Sequence, residues 1–267
     1  MRILSQTAAG YFCNGFSPVT LVSPIDDLVT RVGRRTITEG TTLYNQYRDN
    51  VLRDCERSYY VAVSLFRRAH DSMLASAIFW GHVALYYSNW YAARVVLGTH
   101  GAWADSRRVV GVVHEGSGAQ QFRVSDNPYR QQGSHKAFWS EYYNSVAPLR
   151  LSVDPSFVVA LDPITANVHW QIEARNRVNY TLSELQRLSD AFRAKFDPAQ
   201  FPLSLPGDTA TQFEVTRTTL RLAAELLTSL GVATDVFPRR GTSIQSDIFD
   251  ALSPELLSSN DIALFAV

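Results

Sequence analysis

Along residues 42–70 the apolar positions Leu43, Tyr47, Val51, Tyr59, Val63 and Phe66 recur at three-, four- or eight-residue steps. Arg48, Asp49, Arg53, Asp54, Glu56 and Arg57 fill the gaps. That is the pattern of a half-exposed helix, and Thr41 or Thr42 is placed to cap it. Asp71 and Ser72 read as a turn and cap into a second helix, Met73 to Leu97. This second helix is nearly uncharged: no Asp, Glu, Lys or Arg occurs from Ser72 to Ala93. Gly98 and Gly101 suit its C-terminal end. Two helices joined by so short a turn make an antiparallel pair.

A short helix is expected at 25–34, after an irregular stretch broken by Gly10, Gly15, Pro18 and Pro24. The clear β signal is RRVVGVV (107–113) and QQFRV (120–124) around EGSG (115–118), which predicts a hairpin. Ser134 is placed to cap a helix through Val146. One strand, FVVAL (157–161), is expected in a loop region punctuated by Pro148, Pro155 and Pro163. Helices are predicted over about 165–180, 182–195 and 209–230, with a Pro-rich connector from Asp197 to Gly207. The last segment, IFDALSPELLSSNDIALFAV, reads as a short helix and an apolar tail. The expected fold is all-α, mainly a helical bundle with a small β-hairpin insertion. Its parts are an N-terminal extension (1–38), a bundle (39–232) with the hairpin at about 105–126, and a C-terminal tail (233–267).

The uncharged stretch is long enough to span a bilayer. It also carries His82, Ser76, Ser88, Asn89, Gly81 and several tyrosines, so a helix buried in protein fits better. Hydrophobic residues at 46% and charged residues at 19% of a 267-residue chain describe a folded, core-forming protein. Aromatic residues are abundant, which suits a packed core or a partner interface. The formal net charge is zero, so no global basic field draws the chain to nucleic acid. Lys136 and Lys195 are the lysines, and every other cation is arginine. Codon bias explains this as well as a need for phosphate-binding forks does. Cys13 and Cys55 have no metal-ligand spacing and no disulfide framework, and the first residues lack a signal-peptide run. A cytoplasmic protein, not bound to membrane, is expected.

There is no Walker-A loop and no complete dinucleotide-binding glycine turn. His114-Glu115 does not extend to a zinc-protease motif. His70, His82, His100, His114, His135 and His169 are scattered, so no metal site and no cofactor are expected. Gly116-Ser117-Gly118 lies between two strands and reads as the hairpin loop rather than a nucleophile elbow.

Polar chemistry concentrates in EARNRVNYT (173–181). On a helix, Asn176 and Tyr180 lie four apart on one face, and Arg175 and Asn179 pair likewise. Guanidinium forks and amides in this array are suited to hold a phosphate. The same residues also suit a solvated helix end whose arginines pair with Glu173 or Glu184. Arg107, Arg108 and Arg123 make the hairpin locally basic, which fits either a nucleic-acid contact or a charge-protected sheet edge. Trp80, Tyr86, Tyr87, Trp90 and Tyr91 are read as core or interface packing, with base stacking the other use.

The stretch SAIFWGHVALYYSNWYAARVVLGTHG resembles the second helix of the HEPN superfamily, helical-bundle domains of RNases, toxins and defence proteins. The resemblance rests on tandem aromatics, Tyr86-Tyr87 and Trp90-Tyr91, followed by Ala92-Ala93-Arg94. A second mark of that family is an Arg and a polar residue followed four to six positions later by a His. Arg175-Asn176 matches its first half, and Tyr180 stands where the His is expected. The resemblance spans residues 40–100 and 165–230.

The resemblance implies an HEPN-like fold and action on RNA, as a metal-independent endoribonuclease or a degenerate relative in an antiviral defence or toxin–antitoxin system. It makes Arg175 the phosphate-binding and transition-state-stabilising residue, Asn176 its companion and Tyr180 the third member. Arg177, Arg107, Arg108 and Arg123 would contact nucleic acid. Tyrosine is a poor base near neutral pH, and His169 or His135 is available to substitute in space. A homodimer or protein partner through the helical pair is also implied. The competing reading is a non-catalytic structural or regulatory subunit of a multiprotein complex.

Overall fold

The computed structural model describes residues 25–33, 35–105, 107–113, 121–146 and 167–234. Its first elements are α1 (Ile25–Val32) and β1 (Thr36–Thr38). They fall in the stretch read from sequence as an extension, yet Ile25, Leu28, Val29, Val32 and Ile37 are all buried in the common core.

Helix α2 (Thr42–Leu74) starts where the sequence predicts. The Thr41 hydroxyl accepts from the Tyr44 amide at 3.1 Å, satisfying one of the free N–H groups of the first turn. The helix then runs past Asp71 and Ser72. Asp71 is turned to His70, Nδ1 to carboxylate oxygen 3.1 Å, and does not cap. Ser76 supplies the stop instead, in the left-handed region at φ 60°. The Ala77 amide donates to Ser72 O and the Ser76 amide to Met73 O, the paired bonds of a Schellman ending. Helix α3 (Ile78–Thr99) follows directly.

Helices α2 and α3 form the central antiparallel pair. The Ser88 hydroxyl donates to Ala62 O at 2.7 Å, and Arg94 pairs with Asp54 at 2.9 Å. Close approach is allowed by Gly98, where a Cβ would collide with Cys55 Sγ. Tyr86, Leu85, Ala92, Ala93, Val95 and Val96 of α3 are fully buried. This explains its lack of charge: the helix is enclosed by protein on nearly every side. No helix among the described residues is long and apolar enough to cross a membrane.

The β-region is a four-stranded antiparallel sheet, ordered β1-β4-β3-β2, with β2 (Trp103–Ala104), β3 (Arg108–Val113) and β4 (Gln121–Asp126). The two outer strands are too short to leave a period-two pattern, so only the β3–β4 hairpin was legible in sequence. Its buried face carries Val110 opposite Val124, and Ile37 opposite Phe122. Phe122 packs on Tyr44 and Tyr47 of α2, with ring centroids 5.8 and 5.5 Å away. The Tyr47 hydroxyl donates to Gly101 O at 2.8 Å and fastens the sheet to the end of α3.

The remaining helices are α4 (Ser134–Val146), α5 (Trp170–Tyr180), α6 (Leu182–Lys195) and α7 (Gly207–Thr234). Helix α7 packs along α3 and touches α2 through Phe213 on Phe66, ring centroids 4.9 Å apart. Helices α4 and α5 both lie against α3. The fold is mainly helical with one small sheet. The expected FVVAL strand, the EGSG loop and the C-terminal tail beyond 234 lie outside the described residues.

Candidate functional site

Helix α5 is short and weakly amphipathic, and only Gln171, Ile172 and Val178 are fully buried along it. Gln171, Arg175 and Asn179 follow one another at four-residue steps and form one row on the helix. Arg175 is turned inward, with its guanidinium carbon 4.9 Å from the centre of the Tyr86 ring on α3. That cation–π contact holds the guanidinium over the tyrosine ring. Arg175 Nε, both amide atoms of Gln171, and the amide oxygens of Asn176 and Asn179 are buried without a hydrogen bond. Asn89, one turn beyond Tyr86, leaves both its amide atoms unbonded while only 1% exposed. Each such atom costs about 1–3 kcal/mol unless water or a ligand meets it. A concentration of them where α3 meets α5 marks a polar site inside a mostly apolar bundle.

The third wall is α4. His135, in its first turn, sits with Nδ1 2.8 Å from the Tyr86 hydroxyl. Tyr87 and Trp90 pack around the imidazole, ring centroids 5.9 and 5.6 Å away. Trp139 Nε1 donates to the same tyrosine oxygen at 3.4 Å. Burial pushes the Tyr86 pKa up to about 12, so the phenol keeps its proton. With Trp139 already donating, the one acceptor among the described residues for that proton is His135 Nδ1. The imidazole is therefore assigned the tautomer with its hydrogen on Nε2. Burial first, then the charge of Arg175, lowers the His135 pKa, so the ring is neutral near pH 7. Arg175 and the His135 Nε2–H together supply a cation and a neutral donor. The N-terminus of α4 adds the positive end of a helix dipole. A cation, a neutral donor and a helix N-terminus side by side are chemically suited to an anion.

The motif residues are not all brought together. Tyr180, the last residue of α5, is five positions after Arg175, hence about 140° around the helix. It is 78% exposed. Asn176 is half-buried next to Arg175, with its amide oxygen unbonded. His169 precedes α5. Burial and then Lys136 lower its pKa, opposed by Glu173, which places it near the start of α4 but not on Tyr86.

Arg177 faces elsewhere, into a pocket with Trp170, His82 and residues of α6 and α7. Arg107 and Arg108 lie at the end of the sheet, where they line an open groove with Arg130. Arg108 is paired with Asp126 at 2.8 Å. Arg123 is exposed on β4, opposite Gly111 and Thr36.

His135 lies outside the Arg-polar-His spacing, and so the spacing could not single it out. Its signal was the Gly-Ser-His run at a helix start. His82 is 3% exposed and fully bonded, Nδ1 to Gln212 Oε1 at 2.7 Å and Nε2 to Thr209 Oγ1 at 2.8 Å. Among the described residues no group of three or more His, Cys, Asp or Glu side chains is placed to hold a metal ion. No family model, curated protein or solved structure matches the chain.

Proposed function

We propose that this chain is an RNA-binding, HEPN-like protein that holds a backbone phosphate between Arg175 and His135. The observation that carries this reading is the Arg175 guanidinium on Tyr86, beside the imidazole that Tyr86 orients. A guanidinium and an Nε2–H donor fit two oxygens of a phosphodiester. Beside them the Gln171 and Asn89 amides each hold an unpaired NH2 donor, while the unpaired oxygens of Asn176 and Asn179 are acceptors suited to a sugar hydroxyl.

Cleavage asks for more. Attack by an RNA 2′-hydroxyl needs a base to take its proton. In the assigned tautomer the outer nitrogen of His135 already carries hydrogen. Freeing it would require the Nδ1–H tautomer, with the Tyr86 proton left without its acceptor. The arrangement therefore supports binding better than proton abstraction, and the neutral imidazole is equally unsuited to protonate a leaving oxygen. We infer a degenerate relative of the metal-independent ribonucleases. A cytoplasmic defence or toxin–antitoxin setting follows from the HEPN resemblance alone.

The test is fluorescence anisotropy of labelled single-stranded RNA in EDTA, with product gels from the same tubes. Arg175→Ala is expected to weaken binding at least about tenfold, and the RNA is expected to stay intact. Equal binding by wild type and Arg175→Ala would sink the site. Cleavage that needs both Arg175 and His135 would instead make the protein a ribonuclease.

A non-catalytic subunit is the second reading. Tyr180 and Leu182, at the joint of α5 and α6, are 78% and 84% exposed, and Trp80 is 64% exposed. Large apolar side chains in water suit a protein interface. Stable association of the purified chain with a partner, lost in a Tyr180→Ala/Leu182→Ala variant, would favour it.

A further inference from the structure

A second concentration of cations lies at the end of the sheet. There Arg107, Arg108, Asp126, Arg130 and Gln131 line an open groove. Three guanidiniums meet one carboxylate in it, and they are not equivalent. Arg108 Nη1 holds Asp126 Oδ1 at 2.8 Å. The neighbouring Asp105 carboxylate is engaged by backbone, accepting from the amides of Arg107 and Arg108. Arg107 and Arg130 are exposed. Neither guanidinium has a hydrogen bond or ion pair among the described residues.

The backbone places these two arginines together. Asn127, 1% exposed, is the hub. Its backbone N–H donates to Arg107 O at 2.8 Å, and its carbonyl accepts from the Arg130 amide at 3.1 Å. Its side chain donates to Asp105 O at 2.6 Å and accepts from the Tyr129 amide at 2.9 Å. Asn144 of α4 donates to the Tyr129 hydroxyl at 2.6 Å and ties this turn to the helix. Both arginine backbones are thus fixed to one residue. Like charges held near one another repel, and an anion between them removes that repulsion.

The groove leads toward the start of α4. It extends past Pro128 to Gln132, Gly133 follows, and α4 begins at Ser134. Arg130 and His135 are five positions apart, a span of at most about 18 Å. Lys136, exposed in the first turn of α4, adds a cation beside His135, and its charge is felt at His169. Cations therefore recur from Arg107 through Arg130 and Lys136, and Arg175 lies beside His135 on Tyr86.

Spaced cations along an open groove match the successive phosphates of one strand. Guanidinium forks suit phosphate oxygens, and contacts of this kind carry no base preference.

We propose that the RNA strand whose phosphate lies on Arg175 continues past the start of α4 into this groove, where Arg130 and Arg107 bind further phosphates. The inference rests on the RNA-binding reading and adds a second, sequence-independent contact to it. Arg108, committed to Asp126, is not one of these contacts. Arg130, outside the hairpin, is.

The experiment uses the full chain and a labelled twelve-nucleotide RNA of mixed sequence, 2′-fluoro-substituted so that it cannot be cut through a 2′-hydroxyl. Anisotropy in EDTA is read at salt concentrations from about 50 to 200 mM. Each phosphate neutralised on a single strand contributes about −0.7 to the slope of log affinity against log salt. Arg107→Ala/Arg130→Ala should make the slope shallower by about 1.4 and weaken binding at least about tenfold at the low-salt end. Arg175→Ala should make it shallower by about 0.7. Arg57→Ala/Arg68→Ala, which deletes two exposed arginines of α2, is the charge control and should keep the wild-type slope.

Circular dichroism confirms that each variant is folded. Arg130→Ala alone, outside the sheet, serves if the double variant is not, with half the change in slope. A slope unchanged by the groove substitutions but shallower in Arg175→Ala overturns the groove and leaves the phosphate seat standing. An equal change in the α2 control shows that only overall charge is read, and also overturns the groove. Dependence on the groove without dependence on Arg175 overturns the seat and the shared strand with it. If the RNA does not bind, both readings fall.

Discussion

The Tyr86 hydroxyl and His135 Nδ1 are 2.8 Å apart, joining two helices whose residues are 49 positions apart in the chain. Because Arg175 lies on the face of the same tyrosine, one side chain orients the imidazole and seats the cation that depresses it. A phosphate on Arg175 would offset that cation and raise the His135 pKa toward its ordinary value. Binding should then take up protons on the acid side of neutrality, because bound His135 would keep its proton to higher pH than free His135 does. Calorimetry of RNA binding in two buffers of different ionisation enthalpy reads the uptake directly. It is expected to be a fraction of one proton for wild type and to vanish in His135→Ala. Equal uptake in both proteins would remove His135 from the seat.

Arg175→Lys keeps the charge but loses the planar fork. If the guanidinium holds phosphate through paired N–H donors, lysine should recover little of the affinity lost in Arg175→Ala, a deficit of about 1–3 kcal/mol. Tyr180→Ala, at the far side of the helix, should bind RNA as wild type does. The two titrations at one salt concentration separate the seat seen in space from the seat read along the chain. Full rescue by lysine would show that a point charge is enough and that the fork is idle.

The helices were legible because their apolar spacing is local information. The 182–195 and 134–146 segments have the bounds predicted for them. The turn between the central pair was displaced because Asp71 found a partner in His70, a side-chain choice that propensity does not encode. The sheet was half legible, since β1 and β2 exist only through their pairing with β4 and β3. Arg175 stood out by composition. Its companion did not, because Tyr86 and His135 meet Arg175 only through the packing of three helices. Tyr180 has the sequence spacing of a motif and the wrong angle on the helix to use it.

Gly98 tests the packing that brings these helices together. A Cβ there would run into Cys55 Sγ and stand 3.2 Å from Val51 Cγ1. Gly98→Ala gains about 0.5–1 kcal/mol of helix propensity and loses about 1–3 kcal/mol to overpacking. A net loss of about 1–2 kcal/mol is expected from urea denaturation. Cys55→Ala in the same background removes the obstructing sulfur and should recover part of the loss, a coupling that a double-mutant cycle measures. Additive effects of the two substitutions would show that the helices do not approach closely at this point.

His100, at the end of α3, sets how stability depends on pH. It is 7% exposed, donates from Nδ1 to Val96 O and leaves the lone pair of Nε2 buried with no donor. Burial, opposed by the bond to Val96, lowers its pKa to about 4. The unfolded chain takes up this proton near pH 6.5 and the folded chain only near pH 4. The contribution is therefore complete above pH 6.5 and is lost as pH falls from 6.5 toward 4, on the order of a few kcal/mol. His82, lowered in the same direction by burial, adds to the same slope. The denaturation midpoint of wild type should fall across that window. His100→Gln, which cannot titrate, should fall less steeply there, with the remaining slope due to His82 and the carboxylates. Parallel pH curves for the two proteins would mean that His100 is charged within the fold or reached by water.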